Sequence, residues 1–376
     1  MALPDQSFGP FAGRVWLNAA HQGPLPHAAV AAARRALDSK TSPHLIADQD
    51  FYEVPKRLRN VLARLVGGRP DEVVLGNSAT FGIQLIANGL NWREGDEVLV
   101  PAGDFPATVL PWTTLESKGV LVRELPSDEG IIDAGEVAEQ LSERTRVLCA
   151  SWVNSFSGGA NDLSAVGSVC RDAGVLFVVN ASQGLGALPL EVSKLPVDAI
   201  TSCGFKWLCG PYGTGLCWLR PELRDRLDPH QAYWLSLGGE HWNRLDELAR
   251  ASDAGVERFD VFGTANFLNF EPWTAAVTHL LDAGVDDIAA HILALAGRLI
   301  DGVDPDRFRI VGAGGPSPRS GLVVIEPHDG SAERLGEDLA QAGFDVAVRR
   351  GRVRFSPHLY NSAAEIDGAF AELNRT

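Results

Sequence analysis

Apolar residues follow two rhythms along this chain. From about residue 70 to 220, short apolar runs alternate with stretches whose apolar positions recur every three or four residues. The runs predict strands at 72–75, 97–101, 120–125, 146–151, 175–180, 199–202 and 215–219. The longer spacing predicts helices within 83–90, 136–141 and 163–171. Strands alternating with helices build a mainly parallel sheet covered on both faces. The unbroken run Val175-Leu176-Phe177-Val178-Val179 suits a strand with no solvent face.

The rhythm changes near residue 275. A long Ala/Leu-rich pattern predicts one helix over 275–300, then strands at 308–311 and 321–325, a helix at 332–342, and strands at 346–348 and 353–355. Ser362 and Glu365 are spaced as a capping box, so a last helix starts there. This second unit is α+β, and residues 1–30 are expected to pack on it and on the site. The expected division is 1–30 as an N-terminal segment, 31–274 as the large domain and 275–376 as the small domain. Residues 312–317 are the most loop-like stretch.

Composition narrows the class. With 376 residues, 45% of them hydrophobic, the chain can bury a large core. A net charge of −15 argues against nucleic acid or an anionic membrane surface as partner. The five cysteines form no C-x-x-C pair and read as buried free thiols in reducing surroundings; no metal is expected. The N-terminus lacks a basic and apolar leader pattern, and no run of eighteen apolar residues occurs, so a soluble cytoplasmic protein is expected.

One lysine stands apart from the other four. Lys40, Lys56, Lys118 and Lys194 sit among polar or turn residues, whereas Lys206 lies in Cys203-Gly204-Phe205-Lys206-Trp207-Leu208-Cys209-Gly210. An amine in apolar surroundings loses hydration, which lowers its pKa and frees its lone pair for Schiff-base chemistry. The plainer alternative is a loop lysine reaching out to water.

Other motifs surround it in a fixed order. Asn77-Ser78-Ala79-Thr80 follows a strand and opens a helix, a natural phosphate site. Then come Asp104-Phe105-Pro106, Ser151-Trp152-Val153-Asn154-Ser155, Asn180-Ala181-Ser182-Gln183, Phe262-Gly263-Thr264 and Arg354-Phe355-Ser356-Pro357-His358. This order resembles the class V aminotransferase family of fold-type I pyridoxal 5′-phosphate (PLP) enzymes, over residues 15 to 365. That family includes cysteine desulfurases, C–S lyases, kynureninases and isopenicillin N epimerases. The resemblance implies an α/β fold: a large domain with a mainly parallel seven-stranded sheet and a smaller C-terminal α+β domain.

The resemblance also implies roles. Lys206 would hold PLP as an internal aldimine and act as catalytic base. Phe105 would stack on the ring, and Gln183 would contact its phenolic oxygen. Ala79, Thr80, Ser155 and Cys203 would belong to the cofactor site, with Asn180 facing the pyridine nitrogen. Gly263 and Thr264 would reach the phosphate of a neighbouring subunit, which implies a homodimer with shared sites. Arg354 would bind the substrate carboxylate, while Ala20 and His21 would wall the substrate side, His21 as a second catalytic group. His358 reads as structural, and Trp112, Trp152 and Trp207 as core.

Departures from the family pattern carry information. Asn180 stands where an aspartate is usual, and an amide cannot pair ionically with a pyridinium, so transamination should suffer more than elimination or epimerisation. Cys203 replaces a phosphate-binding serine, Phe205 a histidine and Ala79 a hydroxyl residue, which removes polar phosphate contacts. No cysteine follows Cys217, so a persulfide relay on the 346–360 loop is not expected. The expected function is a PLP-dependent lyase cleaving the C–S bond of a cysteine S-conjugate. The alternatives are an antibiotic-pathway enzyme coupling decarboxylation to oxidative deamination, an aminotransferase, an amino-acid epimerase, or a non-catalytic PLP-fold binding protein. Residues 230–243, with Trp234 and Trp242, are expected to help set substrate choice.

Overall fold

The computed structural model describes residues 3–229, 232–237, 255–312 and 320–375. A short strand β1 (Val15–Trp16) precedes two helices, α1 (His27–Thr41) and α2 (Asp50–Val66). Neither helix is among the expectations above. The signal is nonetheless present in α2: Leu58, Leu62, Leu65 and Val66 are buried along one stripe, each worth about 1.5–3 kcal/mol when fully removed from water. Gly67, at φ 66°, closes that helix in the left-handed region.

Seven strands then build the main sheet: β2 (Val73–Gly76), β3 (Glu97–Pro101), β4 (Leu121–Leu125), β5 (Thr145–Ser151), β6 (Leu176–Asn180), β7 (Ala199–Cys203) and β8 (Gly215–Leu219). Their order is β2-β8-β7-β6-β5-β3-β4. Strands β7, β6, β5, β3 and β4 run parallel, and β8 pairs antiparallel with both β7 and β2. Strands β5 to β8 are almost wholly buried, in keeping with helices on both faces. Those helices include α3 (Ala79–Gly89), α4 (Pro106–Thr113), α5 (Ala134–Gln140) and α6 (Leu163–Asp172); a single turn, α7 (Pro221–Arg224), follows the sheet.

The single helix expected over 275–300 is two helices, α8 (Phe267–Ala283) and α9 (Val285–Gly302). Gly284 separates them at φ 87° and ψ 113°, a conformation outside any helix that costs glycine little. Gly284 itself and the Val285-Asp286-Asp287 that follow it are weak helix formers, and the two aspartates suit the first turn of a new helix. The boundary expected at 274/275 falls inside α8, which packs on α1 and α2; Ile288, Ala289 and Ile292 of α9 still belong to the large core, and its later residues to the small one.

Beyond it lie β9 (Phe308–Val311), β10 (Val323–Pro327), α10 (Ala332–Gln341), β11 (Phe344–Asp345), β12 (Ala347–Arg349), β13 (Arg352–Phe355) and α11 (Ala363–Leu373). Strands β12-β13-β10-β9 form an antiparallel sheet, and α11 begins with the Ser362–Glu365 capping box. Strand β1 joins β11 in parallel, and Asn18 bridges Ser356, so the N-terminal segment is fastened to this unit. Phe8, Ala19 and Ala20 also enter the large core. Trp112, Trp152 and Trp207 are buried, and all five cysteines are free and buried. Among the described residues no helix is long and apolar enough to cross a membrane. Most of 312–317, and much of 230–243 including Trp242, lie outside the described residues.

Candidate active site

Parallel strands collect their loops at their carboxyl ends, where α/β folds bind ligands. Here Ser151 ends β5, Asn180 ends β6 and Cys203 ends β7, side by side. Together with the start of α3 they surround a cavity of about 350 Å³. The N-terminal loop and the β12–β13 hairpin close its other side.

Lys206 projects into this cavity from a tight loop. Cys209 N–H bonds to the Lys206 carbonyl at 2.9 Å, and Gly23 N–H to the Phe205 carbonyl at 2.9 Å. A Cβ on Gly23 would lie 2.1 Å from the Lys206 oxygen, so only glycine lets the N-terminal loop approach this closely. The ammonium sits 5.3 Å from the centre of the Phe105 ring and 6.0 Å from that of Phe205. Burial holds its pKa below the usual lysine range; Cys203 opposes that shift and the charge of Arg354 adds to it.

At the phosphate end, Ser78 caps α3 by accepting the Phe81 N–H at 3.1 Å, and Ala79 and Thr80 face the cavity with it. The first-turn N–H groups and the positive end of the helix point at any anion placed there. The loss of hydroxyls expected from Ala79 and Cys203 is offset: the neighbouring Ser78 and Ser182 both line the cavity.

Asn180 and Ser155 form part of the floor. Gln183 faces the cavity too, but its amide is fully engaged. Its N–H groups bond to the Ala20 carbonyl at 3.0 Å and Ser155 Oγ at 3.2 Å, and its oxygen accepts from the Trp207 indole at 2.8 Å. Gln183 thus ties the N-terminal loop to the lysine loop.

Positive charge collects on the opposite wall. Arg350 (φ 53°) and Gly351 (φ 69°) make the two-residue β12–β13 turn. The turn sets Arg349 and Arg354 toward the cavity, and the Arg350 guanidinium lies 3.6 Å from the centre of the Phe156 ring. Arg354 donates to the Ser155 carbonyl at 3.0 Å, and its Nε has no partner among the described residues. Burial, with help from Arg349, pushes its pKa down to about 10. His21 is exposed at the mouth, and partial burial followed by Arg349, Arg354 and Lys206 lowers its pKa below the usual imidazole value.

Every expected site residue but two lines this one cavity. Gly263 and Thr264 do not line it in their own chain. Ser78, Ser182, Phe156 and Arg349 were not anticipated. Ser78 and Ser182 are in the quoted motifs and could have been found by their position beside Ala79 and Asn180; Arg349 has no local signal separating it from a surface arginine. His358 is structural: it is buried, its Nε2 bonds to the Trp207 carbonyl at 3.0 Å and its Nδ1 accepts the Leu359 N–H at 2.7 Å.

The aminotransferase class-V family model matches residues 25–368. The chain belongs to this family. A probable cysteine desulfurase of Methanothermobacter thermautotrophicus is 27% identical over 325 residues, covering 82% of this chain and 80% of that one. The isopenicillin N epimerase of Streptomyces clavuligerus is 31% identical over 274 residues, 69% of this chain and 66% of the other. Among solved structures, the cystine C–S lyase C-DES in complex with cysteine persulfide superposes with a TM-score of 0.88 at 21% identity, over 97% of this chain and 98% of that one. This last likeness concerns the fold, which is fold-type I.

Pyridoxal 5′-phosphate is the cofactor of class-V aminotransferases. The cavity suits it. A buried amine with depressed pKa, an aromatic face at Phe105, a capped helix N-terminus and an unpaired guanidinium are the groups an aldehyde, a pyridine ring, a phosphate and a carboxylate require.

Proposed function

We propose that this class-V enzyme is a lyase that cleaves the C–S bond of a cysteine S-conjugate by α,β-elimination, with Lys206 carrying the cofactor. The observation behind this reading is the pairing, in one cavity, of a depressed lysine amine with an arginine that has no acidic partner among the described residues. Thr80, Ser78 and the first turn of α3 would hold the phosphate, Phe105 would cover the ring and Asn180 would face the pyridine nitrogen. When bound, PLP supplies the electron sink that acidifies the Cα–H bond.

The chain's own residues do the rest. Arg354 binds the α-carboxylate, which orients the substrate so that the Cα–H bond faces Lys206. The amine of Lys206 takes that proton, and burial, by lowering its pKa, favours the form with a free lone pair. The Cβ–S bond then breaks, and the thiolate leaves with a proton. In sum, the S-conjugate and water give a thiol, pyruvate and ammonium. All five thiols are buried and none lies beyond Cys217, which favours release of the sulfur product over its transfer to a cysteine on the enzyme.

The reading includes a homodimer. Gly263 and Thr264 stand away from their own cavity, beside exposed Phe262 and Leu268. Incubation of the holoenzyme with a panel of S-alkyl cysteines should release thiol and pyruvate in equal amounts; a panel without release rejects the lyase reading. Similarity to an isopenicillin N epimerase favours epimerisation as the second reading. In D₂O that reaction places deuterium at Cα with no thiol released.

A further inference from the structure

Four buried polar side chains stand in single file at the cavity floor, Asn180 and Ser151 lining it and Thr108 and Asp104 set back from it. Asp104 Oδ2 accepts the Ser151 N–H at 2.8 Å, and Oδ1 accepts the Phe105 N–H and the Ser151 hydroxyl, each at 2.6 Å. Ser151 Oγ lies 3.2 Å from Thr108 Oγ1, which accepts from Asn180 Nδ2 at 3.0 Å. At the far end, Asn180 Oδ1 accepts the Ser182 N–H at 3.1 Å.

These contacts have one consistent direction. A peptide N–H can only donate, so the Asn180 oxygen must face Ser182 and its NH₂ must face Thr108. An NH₂ cannot accept, so Thr108 accepts from it and turns its own proton to Ser151. Ser151 in turn donates to Asp104. Burial pushes the Asp104 carboxyl upward in pKa, while the Ser151 hydroxyl and the Ser151 and Phe105 N–H groups oppose that shift; the donor direction of the file is the one that a carboxylate at its end completes. A proton on Asp104 would have to share an oxygen that already accepts a backbone N–H, since both oxygens do. No ion pair to Asp104 occurs among the described residues, so its charge is spent on this file and on two backbone N–H groups.

We infer that Asp104 is a positioning residue for the cofactor ring: acting through Ser151 and Thr108, it locks the Asn180 amide so that the pyridine nitrogen meets an N–H donor and stays unprotonated. The second Asn180 N–H has no protein acceptor among the described bonds, and Asn180 lines the cavity. The assignment rests on the cofactor reading above. It makes the neutral floor a built property, in which four residues on three elements and one connecting link agree, and more than a single replaced carboxylate.

The test uses holoenzyme loaded with PLP labelled with ¹⁵N in the ring. The wild-type nitrogen should resonate in the unprotonated, hydrogen-bonded range from pH 6 to 9. Thr108→Val removes the hydroxyl but keeps the shape. It should shift that resonance and loosen the cofactor by about 5–30-fold, the factor that one or two kcal/mol makes. Thr108→Ser should restore both, which a merely structural role would not require, and Asp104→Asn should act as Thr108→Val does. A protonated wild-type nitrogen, or a Thr108→Val resonance identical to wild type, overturns the inference. If borohydride fixes no cofactor on Lys206, the cofactor reading itself fails and this one with it.

Discussion

Replacing Arg354 by methionine should make the ligand-free protein more stable and nearly inactive. The guanidinium is 5% exposed, has no acidic partner among the described residues, and keeps one bond, to the Ser155 carbonyl. Its pKa falls from 12.5 to about 10. At 1.36 kcal/mol per unit, holding the charge costs about 3 kcal/mol. The folded pKa lies below the unfolded one, so the whole penalty is present at neutral pH and is relieved only as pH rises above about 10. Methionine removes that penalty and gives up one bond worth roughly 1.5–3 kcal/mol. The net gain is therefore small, on the order of 1 kcal/mol, and scanning calorimetry of the apo protein should show the midpoint rise by a degree or more. Catalysis should respond oppositely. Truncating one partner of a buried charge pair costs about 2–5 kcal/mol, or roughly 30- to 4000-fold in kcat/KM for a carboxylate substrate. The matched S-alkyl cysteamine, which has no carboxylate, should lose far less. An apo protein destabilised by more than 1 kcal/mol, or a kcat/KM within threefold of wild type, refutes the argument that Arg354 is an unpaired charge kept for substrate.

Other consequences are equally direct. Lys206→Ala should abolish turnover and remove the borohydride-fixed cofactor peptide, while Lys56→Ala changes neither. Asp260→Ala leaves Arg59 buried without its 2.5 Å partner; urea unfolding should show a loss of about 3–5 kcal/mol, and a loss below 1 kcal/mol contradicts this. Burial depresses His358 from 6.5 to about 4, so stability present above pH 6.5 is lost on acidification. Between pH 7.5 and 5 this group should cost about 2 kcal/mol, a slope absent in His358→Gln. Thiol titration of the native protein should find no rapidly reacting cysteine: all are buried, and burial raises Cys170 to about 12. Fast labelling mapped to Cys203 would show its cavity side to be open to solvent, and fast labelling of any other would contradict the packing.

The sheet was readable because its strands are buried on both faces, and apolar runs such as 176–179 leave no other use for themselves. The site was readable because its polar residues punctuate those runs at the carboxyl ends, where they had to meet. What could not be read is what depends on elements meeting in space. Asp104, Thr108, Ser151 and Asn180 come from the β3–α4 link, α4, β5 and β6, and no spacing in the chain announces that their hydroxyls line up. The break at Gly284 is a different case: the long Ala/Leu-rich pattern continues across it, and the local signal, a glycine followed by Val285-Asp286-Asp287, is short. Gln183 shows the converse. Its presence at the site was legible, but not that one of its N–H groups fastens the N-terminal loop at Ala20 while the other holds Ser155.

Charge placement connects these details. The chain carries −15 overall, yet its cavity presents Lys206, Arg349 and Arg354 and no carboxylate. A negative exterior disfavours the approach of small anions, and salt screens that effect beyond about 10 Å. Within the cavity the local cations dominate, because short distances and low polarity strengthen each interaction. Anionic ligands therefore complete the site by neutralising charges the empty fold holds at a cost. Asp104 sits behind the lining residues Ser151 and Asn180, and both its oxygens already accept hydrogen bonds. If it faced the cavity it would pair with Arg354 or Lys206 and cancel the charge reserved for a carboxylate, and protonate the amine that must stay free. Keeping the anion one file of hydroxyls away lets it orient the floor without competing with the substrate.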